Sequence, residues 1–131
     1  MVRQSTFRLA ACVAVVAVAS VPARAQAAYR AFRSPTGKLG CAFYSDAQTP
    51  RTVRCEWAGS NDVAFTLQER GRVHRIRISD TVRNPNARVL AYGRSTSFGQ
   101  LRCTSRRTGI TCRSRRSGHG FMVSVERRRT F

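Results

Sequence analysis

Twenty-four basic side chains against six acidic ones give this 131-residue chain a formal net charge of +18. So few carboxylates leave little from which to build an acid/base catalytic pair, and nothing marks a second domain or a long linker. A field this strong on so small a protein attracts anions.

In chain order, the first element is a leader and not part of the fold. Arg3 and Arg8 precede an apolar run of thirteen residues, 9–21, and small residues at AxA spacing follow in Ala23-Arg24-Ala25 and Ala25-Gln26-Ala27. This is the layout of a secretory signal peptide over residues 1–27, cleaved after Ala25 or Ala27. The run is too short for a membrane span of about twenty residues, so no stable span is expected after cleavage. Leu9-Ala10-Ala11-Cys12 resembles a lipobox, but its cysteine precedes most of the apolar run and is read as part of it. Cleavage after Ala25 leaves 21 of the 24 basic residues against all six acids, a net charge of +15. Residues 28–131 are read as one secreted or periplasmic domain.

The mature chain keeps Cys41, Cys55, Cys103 and Cys112, an even count in a chain bound for an oxidising compartment, so two disulfides are expected. A four-cysteine zinc site fits poorly, because structural zinc ligands stand two to four residues apart and these pairs are separated by thirteen and eight residues. Cys41 and Cys55 flank one polar loop and Cys103 and Cys112 another, so each pair is expected to close across its own hairpin. Four cysteines permit three pairings, and non-reducing peptide mapping distinguishes them.

No helical stripe runs through the mature chain, whereas period-two patterns recur. Val63, Phe65 and Leu67 alternate with Ala64, Thr66 and Gln68, and His74, Ile76 and Ile78 with Arg75 and Arg77. Between them Glu69-Arg70-Gly71-Arg72 is a hairpin turn in which Gly71 is free to take positive φ. Further strands are expected at 29–33, 38–44, 52–57, 88–92, 98–104, 110–113 and 120–126, separated by Ser34-Pro35-Thr36-Gly37, Asn84-Pro85-Asn86, Tyr92-Gly93 and Thr108-Gly109. Such spacing predicts an all-β, disulfide-stapled antiparallel sandwich or barrel of roughly seven to nine short strands.

Several of these stretches resemble, in order, the motifs of a family of small secreted bacterial domains of unknown function with the pattern F.SPSGNIGC, V.C, LPYG, C.S...GVTC and SGHGF. Here they read Phe32-Arg33-Ser34-Pro35-Thr36-Gly37-Lys38-Leu39-Gly40-Cys41, Val53-Arg54-Cys55, Leu90-Ala91-Tyr92-Gly93, Cys103 through Gly109-Ile110-Thr111-Cys112, and Ser117-Gly118-His119-Gly120-Phe121. The resemblance spans about residues 32–131 and is that of a divergent member. Ala91 replaces a proline, Lys38-Leu39 an Asn-Ile pair, and a further cysteine pair of the family is missing before Asp80-Thr81. Joint loss of both partners implies local pairing of the four that remain. No activity comes with the resemblance.

Catalytic chemistry has little to stand on. A small secreted hydrolase would use His119 as base with a carboxylate and an arginine, yet no spacing isolates such a set from His74, His119, Glu56, Glu69 and Glu126. The alternative for the Gly118-His119-Gly120-Phe121 motif is a tight turn leading into a strand. No GxSxG elbow is present, and two histidines 45 positions apart have no metal-ligand spacing. Neither a catalytic residue, a cofactor nor a metal is assigned.

Polyanion binding has more support. Arg106, Arg107, Arg113, Arg115, Arg116, Arg127, Arg128 and Arg129 fall in the C-terminal third, and arginine forks hold phosphates and carboxylates by two-point contacts. Tyr29, Tyr44, Phe98 and Phe131 are candidates for stacking. Against this, no nucleic-acid-binding signature appears and Lys38 is the only lysine. The sequence therefore points to a secreted, non-enzymatic binding or interaction module at the cell envelope. No sequence feature names its partner: a polyanion (nucleic acid, anionic lipid or glycan) on the Arg-rich C-terminal face and an envelope or extracellular protein both remain open.

Overall fold

The computed structural model describes residues 9–21 and 26–131; the expected cleavage motif Ala23-Arg24-Ala25 lies outside them. Residues 9–21 form neither helix nor strand, and the apolar side chains of Leu9, Val13, Val15, Val16, Val18 and Val21 are all exposed. The rest is all strand, arranged as two sheets.

The first sheet is built from β1 (Ala28–Arg33), β2 (Leu39–Ser45), β3 (Thr52–Trp57), β4 (Val63–Gln68), β5 (His74–Arg77) and β6 (Arg88–Val89), in the order β5-β4-β3-β2-β1-β6. The second contains β7 (Ser95–Phe98), β8 (Leu101–Arg106), β9 (Gly109–Ser114), β10 (Gly120–Val123) and β11 (Arg128–Thr130), in the order β11-β10-β9-β8-β7. All neighbours are antiparallel except β1 and β6. Both sheets keep free edges, so the fold is a sandwich and not a closed barrel.

Alternation decides which side chains meet between the sheets. Leu39, Cys41 and Phe43 of β2, Val53, Cys55 and Trp57 of β3, and Val63, Phe65 and Leu67 of β4 face inward against Leu101 and Cys103, Ile110 and Cys112, and Phe121 and Val123. Burying each large apolar side chain here contributes about 1.5–3 kcal/mol. The rings of Phe65 and Phe121 meet across the layer at 5.7 Å, and those of Phe43 and Phe98 at 5.5 Å. At the centre lie Cys41–Cys55 and Cys103–Cys112, each bonded across one hairpin between residues directly opposite in register. The two disulfides abut, with Cys55 Sγ 3.8 Å from Cys112 Sγ.

Among the described residues, eleven strands replace the expected seven to nine. The predicted strand 98–104 is two, because Gly99 turns the chain at φ 59° and sends β8 back along β7. The predicted strand 120–126 stops at Val123, where Ser124 and Arg127 close a turn (N to O 2.7 Å) that returns the chain as β11. The stretch 88–92 shortens to the two residues of β6. Gly71 has φ 89° in the β4–β5 loop, as its hairpin position requires.

The connection from β5 to β6 has the largest structural consequence. β5 and β6 lie at opposite edges of the first sheet, so residues 78–87 cross its solvent side as a strap. A Cβ on Gly40 would lie 2.8 Å from Arg83 Cα, so only glycine lets the strap pass this closely. Beneath it Ala42 and Ala64 are fully buried, although they point away from the core.

Candidate functional site

On the strapped face the sequence places charge under cover. Arg54 and Glu56 alternate outward from β3 into the shadow of the strap, where Arg54 NH2 stands 2.7 Å from Glu56 Oε1. The Arg54 guanidinium also donates to Asp80 Oδ1 at 3.0 Å and to the Asp80 carbonyl at 2.8 Å. Glu56 accepts from the Val82 amide at 3.0 Å and the Thr81 hydroxyl at 2.6 Å. The hydrogen bond from Arg54, helped by its charge, holds the Asp80 carboxyl below its ordinary value. Burial raises Tyr44, with Arg54 opposing and Asp80 adding to the shift. Both Glu56 oxygens are occupied by the protein itself, so the cluster clamps the strap and offers no open carboxylate to a substrate.

Among the described residues, no strap crosses the solvent face of the second sheet. Outward positions of β8 are Arg102, Thr104 and Arg106, and those of β9 are Thr111 and Arg113, with Arg115 just past its end. Register sets Arg102 directly opposite Arg113 and Thr104 opposite Thr111. These six side chains line one open groove of about 370 Å³ that contains no carboxylate. Beyond Arg113 in the same row comes Gly120, and the Phe131 ring lies where a Cβ on Gly120 would go. Arg129, on the outer side of β11 opposite Met122, stands 5.6 Å from the Phe131 ring. The face is therefore a cationic strip with hydroxyls at its centre and an aromatic ring at one end.

Of the nominated arginines, the fold brings Arg106, Arg113 and Arg115 together, adds Arg102, and sets Arg129 at the far edge of the same face. Arg107 lies 5.0 Å over the Tyr92 ring. Arg128 turns to the core side, 4.9 Å over Trp57, and donates to the Val125 carbonyl at 2.6 Å. Arg116 and Arg127 occupy turns. Among the stacking candidates, Phe98 packs in the core and Tyr29 faces Tyr44 on the other sheet, leaving Phe131 as the one beside the groove.

Gly118-His119-Gly120-Phe121 forms the turn into β10. Gly118 has φ 78°, the Ser114 amide donates to the His119 carbonyl at 2.9 Å, and His119 Nδ1 lies 3.3 Å from the Phe131 carbonyl oxygen. Its ring has no hydrogen-bonded Asp or Glu side chain among the described residues, and His74 is exposed on the other sheet. The sulfurs of Cys41, Cys55 and Cys112 lie within 4.8 Å of one another because the disulfides abut. Their S–S bonds use the lone thiolates that a metal would require.

The fold and its free face define a small disulfide-bonded β-sandwich with a cationic surface. Residues 44–131 match the model of the family of unknown function DUF6636, and the chain belongs to that family. No curated protein and no solved structure matches it.

Proposed function

We propose that the chain is an extracytoplasmic, non-enzymatic binding domain, exported by residues 1–27 and cleaved after Ala25 or Ala27. The outer face of the second sheet would be its binding surface, with a phosphate- or sulfate-bearing polymer as ligand. The observation that carries this reading is the groove itself: Arg102, Arg106, Arg113 and Arg115 converge with two threonines and no acid. None of the four forms an ion pair among the described residues, and only Arg115 spends a donor within the protein, on the Gly99 carbonyl at 3.4 Å. Export is supported by two disulfides and by an apolar segment 9–21 whose large side chains are exposed.

Titration of the oxidised protein with single-stranded DNA, and separately with dextran sulfate, tests the surface. Four phosphate contacts predict a salt slope near −3 and a loss of roughly 50-fold in affinity between 50 and 200 mM salt. Joint substitution Arg102→Gln, Arg106→Gln, Arg113→Gln and Arg115→Gln is expected to remove most of that slope. A flat salt dependence, or an unchanged slope in the variant, rejects the polyanion face. The remaining reading is then a shaped interface for an envelope protein.

A further inference from the structure

A second cavity lies at the open seam of the sandwich and shares no residue with the arginine groove. It encloses about 500 Å³ and is the space between β1 and β6 of one sheet and β7 of the other. The seam stays open because β6 contributes only Arg88 and Val89 before the chain leaves the sheet. Leu90–Arg94 then close one end through a turn at Gly93, φ 81°, anchored by the Leu90 amide on the Arg33 carbonyl (2.8 Å) and the Gly93 amide on the Ser105 carbonyl (2.7 Å).

The lining divides by chemistry. Phe32 and Leu90 form a floor, buried in the core yet facing the cavity, and Val89 adds an apolar wall that is 41% exposed. Arg30, Arg88 and Arg94 ring this surface, and no carboxylate does. Arg30 is held in place: its guanidinium lies 5.2 Å over Phe43 and 6.0 Å over Phe98 and donates to the Ser97 carbonyl across the seam. Arg88 and Arg94 are exposed and have neither an ion pair nor a side-chain hydrogen bond among the described residues. A cavity of this volume, apolar at its base with a few convergent polar groups, has the make-up of a small-molecule site.

We infer that the seam binds a small amphipathic anion, its apolar body on Phe32, Val89 and Leu90 and its charged head between Arg88 and Arg94. Titration of the oxidised protein with 1-anilinonaphthalene-8-sulfonate, followed by displacement with decanoate, decanol or inorganic phosphate, tests the assignment. Saturable binding at one site is expected, displaced by decanoate at concentrations at least tenfold below those needed for decanol or phosphate. The pair Arg88→Gln and Arg94→Gln should weaken binding at least tenfold with an unchanged melting temperature. The pair Arg102→Gln and Arg113→Gln, on the solvent face of the second sheet, should leave it unaltered. Non-saturable binding, decanol displacing as well as decanoate, or a loss that follows Arg102 and Arg113 instead, overturns the assignment.

Discussion

Replacing Glu56 by alanine should remove a large part of the domain's stability, although Glu56 lies outside the hydrophobic core. The change strands the buried Val82 amide and takes away the acceptor of the Thr81 hydroxyl, which now sit 3.0 and 2.6 Å from the carboxylate. It also leaves Arg54, with its side chain only 10% exposed, without its closest counter-charge and dependent on Asp80, whose side chain is 77% exposed. Breaking a buried pair from one side costs about 3–5 kcal/mol, against about 5–15 kcal/mol for a whole domain. The sharper test is the pair Arg54→Met and Glu56→Leu. Apolar replacement of a buried ion pair is often neutral or stabilising. Here the pair also satisfies the strap's own backbone, through the Val82 amide and the Asp80 carbonyl. Val82 is buried, so stranding its amide costs about 1–3 kcal/mol, and the apolar double variant should remain about 1–3 kcal/mol less stable than the parent. Urea unfolding of the oxidised protein, followed through the fluorescence of the single tryptophan, buried Trp57, measures both. A double variant as stable as the parent would refute the claim that this network clamps the strap.

Two further outcomes follow from the same geometry. Opening either disulfide by paired Cys→Ala substitution should cost about 3 kcal/mol in the chain-entropy model, given sequence separations of 14 and 9, and peptide mapping of the unreduced protein should recover only Cys41–Cys55 and Cys103–Cys112. Arg54 holds the Asp80 carboxyl below 3.8, so the stability it provides is complete above that value and is lost as pH falls through the lower folded pKa. Asp80→Asn should therefore flatten part of the acid limb of a stability-against-pH curve below about pH 4. The remainder belongs in part to Asp46, which the Gln48 and Thr49 amides depress in the same sense. An acid limb identical in Asp80→Asn would contradict the Arg54 contact.

What was legible in the sequence was local. Alternation around Val63–Leu67 gave β4, and cysteines flanking single hairpins gave both disulfides. The site was harder to see, because adjacent arginines draw the eye while strand geometry separates them. Consecutive residues of a strand point to opposite faces. Arg128 therefore covers Trp57 while Arg129 faces solvent, and Arg106 lines the groove while Arg107, in the turn beyond β8, goes to Tyr92. Arg102 stands alone between Leu101 and Cys103 with no adjacent arginine to mark it, yet the inward Cys103 and Cys112 set which neighbours face out. Counting by twos from the residues beside those cysteines, Arg102 and Arg113, reaches Arg106 and Arg115. The strap was not legible, since the constraint on Gly40 comes from Arg83, far along the chain. Ile76 illustrates the same limit: it reads as a core residue but lies opposite Ala64 on the strapped side.

These placements change what the net charge means. Arg54 is buried under the strap, and Arg30 and Arg128 are spread over aromatic rings. Arg102, Arg106, Arg113 and Arg115 of the second sheet's outer face have neither arrangement. Arg102 and Arg113 stand directly opposite each other, a like-charge pairing that destabilises a sheet. No carboxylate lines that groove to offset the repulsion. An anion seated between them would relieve it, and a ligand that binds only the folded state raises stability in step with its concentration over Kd. A like-charge pair with no carboxylate beside it thus gains stability directly from an anionic polymer. That is why the solvent face of the second sheet, and not the positive charge as a whole, is the functional surface proposed for this protein.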